Sequence, residues 1–311
     1  MVVPVLTGFV GLTNAQTNHD GHRVLTQGKG ELVIFARDGD VEWRMDWPGI
    51  HDIHQLANGN ILTLENQRSV VEIDPTKKQV VWRYDSTKQN GNEGKKVEVH
   101  AIQPLENGNV MIAESGAGRI IEVDRDRVVQ KEVKLKVNHP HPHTDTRLVR
   151  KISNGNYLVC HEGDGVLREY DGPSGDVVWE YEVPLFGKDP AGGHGPDAWG
   201  NKLFCALRLK SGNTLIATGN GHSVLEVTPE KEVVWKLTQD ELEGIRFAWV
   251  TTLDVLPNGN YVIGNCHAGP GQPILVEIEP ESKKVVWQFD KFDELGNDTS
   301  NSQLLDVKSL R

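Results

Sequence analysis

The 311-residue chain is short of positive charge, of long apolar runs and of paired cysteines. Its 33 Lys and Arg stand against 44 Asp and Glu, a formal net charge of −11. Phosphate backbones need a basic surface, so nucleic acid is not an expected partner. No apolar run approaches the roughly 18–20 residues that cross a bilayer, so no membrane span is expected. Cys160, Cys205 and Cys266 are odd in number and far apart, which gives neither a disulfide framework nor a zinc ribbon. Helical periodicity is also scarce. Glycine is abundant, with 32 residues, and the apolar runs are short, Val-rich and alternating. That combination belongs to many short strands joined by tight turns.

Residues 1–18, MVVPVLTGFVGLTNAQTN, read as a signal-like segment: an apolar stretch that ends near small residues but lacks a basic start. A periodic pattern then runs over 19–311, read as one domain. The expected location is periplasmic or secreted; an apolar tail that packs on the domain is the other reading.

The pattern is a repeat. HDIHQLANGNILTLE (51–65) is followed by SVVEIDPTKKQVVWRYD (69–85), and four similar units follow. The turn glycine recurs at 59, 108, 155, 212 and 259, a period of roughly 40–50 residues that marks the four-stranded blade of a β-propeller. Asn-Gly or Ser-Gly makes the turn between strands A and B, where a positive φ is needed. Strand D carries Val-Val-Trp, with Trp82, Trp179, Trp235 and Trp287 in one position and Gln130 in their place in the second unit. An indole there is expected to pack one blade on the next. Residues 20–43 supply strands B, C and D with Trp43 but no strand A, and SQLLDVK (302–308) is a strand A with nothing after it. Joining them gives an all-β, six-bladed propeller whose ring the C-terminal strand closes, leaving no open edge.

Twelve histidines are distributed unevenly on this scheme. His51, His54, His100, His139, His141, His143, His161, His194, His222 and His267 fall in D–A connections, at strand A starts or after strand B, all on one face; His19 and His22 fall near the other. In HPHPHTDTR (139–147), Pro140 and Pro142 favour extended geometry, which sets alternate imidazoles on one side. His143 is then the best placed for the channel, with Asp145 or Arg147 beside it; His139 and His141 are ligands or loop. Glu65, Glu114, Glu162, Arg147, Asn220, Arg246, Trp249 and Asn265 reach the same face. Glu114, His161, Asn220, Trp249 and Asn265 are the expected ligand-binding residues. A metal, if present, would draw on His51, His100, His143, His161, His222 and His267, although no H-E-x-x-H motif is present.

The units resemble the PQQ-like repeats of quinoprotein propellers, whose D-x-x-(T/S)-G-x-x-x-W segment is similar to DGPSGDVVW (171–179) and, more loosely, DPTKKQVVW (74–82). Those dehydrogenases have eight blades and often an adjacent-cysteine disulfide; with six blades and no paired cysteines, bound PQQ is not expected. HDIHQLANGN (51–60) and VEVHAIQPLENGN (97–109) look like the channel-lining strands of bacterial arylsulfotransferases. That resemblance implies sulfuryl transfer on channel imidazoles, with His54, His100 and His143 as catalytic candidates and Arg147 as anion clamp.

Three functions stay open. Metal-free imidazoles can supply nucleophile, base and acid for group transfer on a small anionic or aromatic ester, or a glycan, in an arylsulfotransferase-like enzyme. The same histidines can bind one transition metal (Zn, Cu, Ni or Fe) in a lyase or hydrolase. The face can also be a non-catalytic platform for a ligand or protein.

Overall fold

A computed structural model describes residues 21–311; the signal-like segment and His19 lie outside the described residues. Six four-stranded antiparallel sheets form the ring, each ordered A–B–C–D from the axis outward. Blade 1 comprises Ile53–Gln55, Ile61–Glu65, Ser69–Asp74 and Gln79–Asp85. Strand A of blades 2 to 5 is Glu98–Pro104, Val149–Lys151, Cys205–Arg208 and Trp249–Val255 in turn. Ser302–Leu304 supplies strand A of blade 6, pairing Val24 with Leu304 and Thr26 with Ser302. The ring closes as the repeat requires. One short helix, Phe292–Leu295, leads into this last strand.

The five A–B turns share one geometry. In blade 1 the Leu56 N–H donates to the Asn60 carbonyl (2.7 Å) and the Gly59 N–H to the Leu56 carbonyl (2.9 Å). The turn glycines sit at φ between 85° and 92°, where a Cβ would be strained. The Asn after glycine then reaches a Glu in strand C. Asn60 donates to Glu72 (2.6 Å), Asn156 to Glu169, Asn213 to Glu226 and Asn260 to Glu277 (2.7 Å each).

With Glu122 of blade 2, these strand-C carboxylates also join each of blades 1 to 5 to the next, whereas Ile34 takes the position in blade 6. Glu72 accepts from Arg125, Glu122 from Lys151 (2.6 Å) and Tyr157, Glu169 from Arg208 (2.6 Å), and Glu226 from Tyr261 (3.4 Å). Glu277 meets His22 at 2.8 Å across the ring closure. Burying a carboxylate is costly unless donors meet it, and here, except at Glu122, the partners come from two blades at once.

The tryptophans add a second joint. The indole N–H of Trp43 donates to the Pro75 carbonyl, Trp82 to Arg125, Trp179 to Pro229 and Trp235 to Pro280, each across to the following blade at 2.8–3.0 Å. In blade 2 the pairing of Glu122 with Lys131 puts Lys131, rather than Gln130, in the tryptophan position. The C–D turn there is one residue shorter than in blade 1, which shifts the alignment read from Val-Val. Lys131 still bridges, with its ammonium 5.4 Å from the Tyr157 ring of blade 3. Apolar cores fill the spaces between facing sheets, as where Leu25, Leu32 and Ile34 meet Ile53, Val71 and Ile73.

At the axis, one carboxylate ties four blades. Asp52 receives both guanidinium Nη atoms of Arg150 (2.7 and 3.1 Å), the Asn301 amide (2.9 Å) and the Ile102 N–H (3.0 Å). Burial alone would raise the Asp52 pKa, but Arg150 and His54 hold it far below the carboxylate range.

Trp235→Phe keeps the ring but loses the bond to Pro280, and is expected to cost at most about 1 kcal/mol in urea unfolding. Asp52→Ala strands the buried Arg150 charge and is expected to cost about 3–5 kcal/mol by the same measurement. For His22, burial opposes protonation, but Glu277 and Asp306 outweigh it and raise the pKa above 6.5. A raised folded value contributes stability that is full below the unfolded pKa and is lost as pH rises through the folded one. Melting temperatures of wild type and His22→Gln should therefore differ most in mild acid and converge in alkali.

Candidate functional site

Above Asp52, three D–A connections converge on the mouth of the channel. Glu98 opens strand A of blade 2 and His100 follows two residues later, at a β-bulge between Val99 and Ala101. A bulge re-aims the side chain of the extra residue. His100 Nδ1 meets the Thr146 carbonyl at 2.9 Å, which leaves Nε2 facing the Glu98 carboxylate at 3.0 Å. His143 Nδ1 approaches the same carboxylate oxygen at 2.8 Å. One ligand atom from each of Glu98, His100 and His143 lies within 4.8 Å of the others. Hydrogen bonding from His100 holds the Glu98 carboxyl down at about 2, with His143 adding to it.

The loop HPHPHTDTR is stiff because Asp145 anchors it. The buried Asp145 carboxylate accepts the His141 N–H and the Gly116 N–H (2.8 Å), and the Thr144 N–H donates to the His141 carbonyl (2.9 Å). His139 points outward, paired with Asp164 at 3.1 Å, and His141 is exposed. Only His143 turns to the mouth. The expected rail of imidazoles does not form: the Thr144 and Asp145 N–H groups both turn back to the His141 carbonyl, which breaks the extended run so that one imidazole alone enters the site.

His51 and Arg147 complete the group. His51 adopts φ 82°, an uncommon backbone for a side chain of this size, and its ring lies edge-on to His100 with centroids 4.7 Å apart. Its Nδ1 meets the Ser300 hydroxyl at 3.3 Å, while its buried Nε2 has no partner among the described residues. Burial, followed by the His100 and Arg147 charges, pushes the His51 pKa well down. Arg147 donates Nε to Glu162 and lays its guanidinium 5.8 Å from the Phe204 ring centroid. Its Nη1 is buried and likewise without a partner.

Several expected site residues are committed elsewhere. His54 lies deeper, between Asp52 (3.2 Å) and the Ile102 carbonyl (2.8 Å). His161 braces the Asp145 carbonyl and the Tyr170 hydroxyl, and burial pushes its pKa down to about 4. His222 faces the Ala248 and Ala198 carbonyls with its two nitrogens. The six imidazoles assigned to a metal therefore do not converge; of them, His100 and His143 share one point. Glu114 is taken up by Arg119 and Asn92, Asn220 by the Lys202 N–H, and Asn265 by the Ala248 N–H. Trp249 and His267 gather with His194 in a separate ring cluster, with His194 centred 4.8 Å from Trp249 and 5.0 Å from His267. Glu98 and His51 carry more of the mouth than the sequence assigned to them. The signal for Glu98 was there, in a carboxylate two residues before His100 on one strand.

The fold and the site can be set beside known proteins. No curated protein sequence matches this chain. A Bacteroides caccae protein of unknown function is similar in structure, with a TM-score of 0.73 and 22% identity over 91% of this chain and 98% of that one. A streptogramin B lyase is similar at TM-score 0.59 and 12% identity, covering 93% of this chain and 91% of its own. The virginiamycin B lyase of Staphylococcus aureus is similar at 0.55 and 12%, covering 94% and 87%. Identities this low speak for the fold alone. The match of residues 28–289 to a family model is broader in meaning: the chain belongs to the PQQ-like repeat propellers whose family is described as outer membrane protein assembly factor BamB.

Proposed function

We propose that this protein binds one divalent transition metal on Glu98, His100 and His143 and acts as a lyase or hydrolase on an anionic substrate at the channel mouth. The observation that carries this reading is the convergence of one carboxylate and two imidazoles within 4.8 Å. Two nitrogens and one oxygen suit zinc, iron or nickel and leave coordination positions open. The Thr146 carbonyl behind His100 fixes that ring as an outer-shell partner does in metal sites. A bound ion would supply Lewis acidity at a substrate oxygen.

The chain's own groups supply the remainder. Arg147 has a free Nη1 for a carboxylate or sulfate, and Phe204 backs its guanidinium. His51 Nε2 is unpartnered beside His100, placed to take a proton from the bound substrate. That same nitrogen favours a second reading, metal-free group transfer with His51 as nucleophile. We place the protein in the periplasm or outside the cell, supported by the signal-like residues 1–18 and by the outer-membrane description of its family.

Protein expressed without a histidine tag and dialysed without chelator should hold about one equivalent of metal by mass spectrometry. His143→Ala should lose it while melting close to wild type, because that side chain is 45% exposed. Glu98→Gln should weaken metal binding by at least about 100-fold, taking the 10–100-fold effect of outer-shell changes as a floor. Metal content well below one equivalent, unchanged by either substitution, would sink the metal reading and move weight to His51.

A further inference from the structure

We infer that the groove leading to the mouth binds an extended acidic oligosaccharide; this rests on the proposed site being a reaction centre and names its substrate class. A cavity of about 780 Å³ lies over blade 1, running from Trp47 and Gly49 to Asn66, Arg68, Arg83 and Lys88. A second, of about 410 Å³, shares Asn66, Gln67, Arg68 and Thr87 with it and continues past Lys95 and Lys96 to Glu98 and Pro142. The two form one trough that ends on a carboxylate of the proposed centre, with the Pro-His loop as its far wall. Their volumes together exceed the roughly 300–1,000 Å³ typical of a small-molecule pocket.

Charge selects the ligand. Arg83 is paired with Glu65, and Lys88 with Asp85 at 3.5 Å. Arg68, Lys95 and Lys96 are exposed and have no carboxylate partner among the described residues. Three unpaired cations in one groove stand out on a chain of net charge −11, and they would draw a polyanion toward Glu98 and Arg147. The backbone helps to present them: Asn66 and Gln67 both take positive φ (52° and 56°), turning the chain so that Arg68 stands at the junction of the two cavities.

The uncharged lining decides between polyanions. Asn66, Gln67, Ser69 and Thr87 offer amides and hydroxyls suited to sugar hydroxyls. Connecting loops line the trough at 66–68 and 95–97, and Arg83 and Asp85 reach it from the outer strand of blade 1 with their side chains. Trp47 is buried and donates its indole N–H to the Leu64 carbonyl, so it is no platform for a stacked nucleobase.

The test is calorimetric titration of the full chain with size-graded oligogalacturonates, in chelator to suppress turnover. Affinity should rise with oligomer length and fall with salt, and Arg68→Ala/Lys95→Ala/Lys96→Ala should weaken it on the order of tenfold or more, as the sum of three exposed charge contacts. Unchanged affinity in the triple variant, or equal binding of neutral cello-oligosaccharides, would overturn the inference. Equal binding of poly-glutamate would overturn it in favour of an acidic peptide. The metal content of the wild type, measured beside the titration, separates the two readings. Oligogalacturonate binding in a protein that holds no metal even as wild type sinks the proposed centre and keeps the groove. Metal binding without oligogalacturonate binding does the reverse.

Discussion

The buried pair of Asp52 and Arg150 is the constraint on which the mouth of the channel depends. A carboxylate with no exposure is tolerable only if every lone pair is met, and Asp52 is met by donors from blades 1, 2, 3 and 6. Four strands that share one acceptor cannot slide relative to one another. His51 precedes Asp52 directly, His100 stands two residues before Ile102, and Arg147 stands three before Arg150. The register fixed by the hub is therefore the register of the mouth. The side chains that could do chemistry are carried on strands locked from below.

The rim is held differently. Four blades repeat a carboxylate in strand C that meets its own A–B turn and the next blade, and most blades add an indole bond near that position. These joints are local, and the ring is their sum. Blade 2 shows the tolerance of such a system: it lacks the tryptophan and keeps contact through Lys131 over Tyr157. At the closure, where the N-terminal strands meet the C-terminal ones, His22 joins Glu277, so the closure alone makes this joint with an imidazole that titrates near neutrality.

Fold and site were unequally legible in the sequence. Repeated Asn-Gly turns and Val-Val-Trp strands announce six blades because turn chemistry and alternation are local properties of the chain. The split blade followed from counting strands. The strand-C glutamates passed as the polar half of an alternating pattern, since nothing in Val-Glu-Ile tells that Glu72 faces both a turn and the next blade. The histidines were harder still. The sequence places His161 and His222 on the correct face, but whether a ring nitrogen is spent on a carbonyl depends on which connection passes beside it. Both are spent, on Asp145 and on Ala248. Membership of a face was readable; availability of a nitrogen was not.

That distinction bears on how a propeller acquires function. The fold is a frame whose loops vary without disturbing the blades, and it sets no chemistry by itself. In this chain the buried nitrogens left unpartnered on His51 and Arg147 sit beside the Glu98 cluster, while His54, His161 and His222 brace the frame. A buried nitrogen without a partner costs stability, and so does a histidine held at φ 82°. Both costs fall on His51, whose ring packs edge-on against His100, one of the two imidazoles that share Glu98. Other buried atoms also go without a partner among the described residues, Arg150 Nε at the hub and Arg208 Nε on the rim among them; what sets His51 and Arg147 apart is that theirs lie beside the His100 ring, next to the carboxylate that His100 and His143 share.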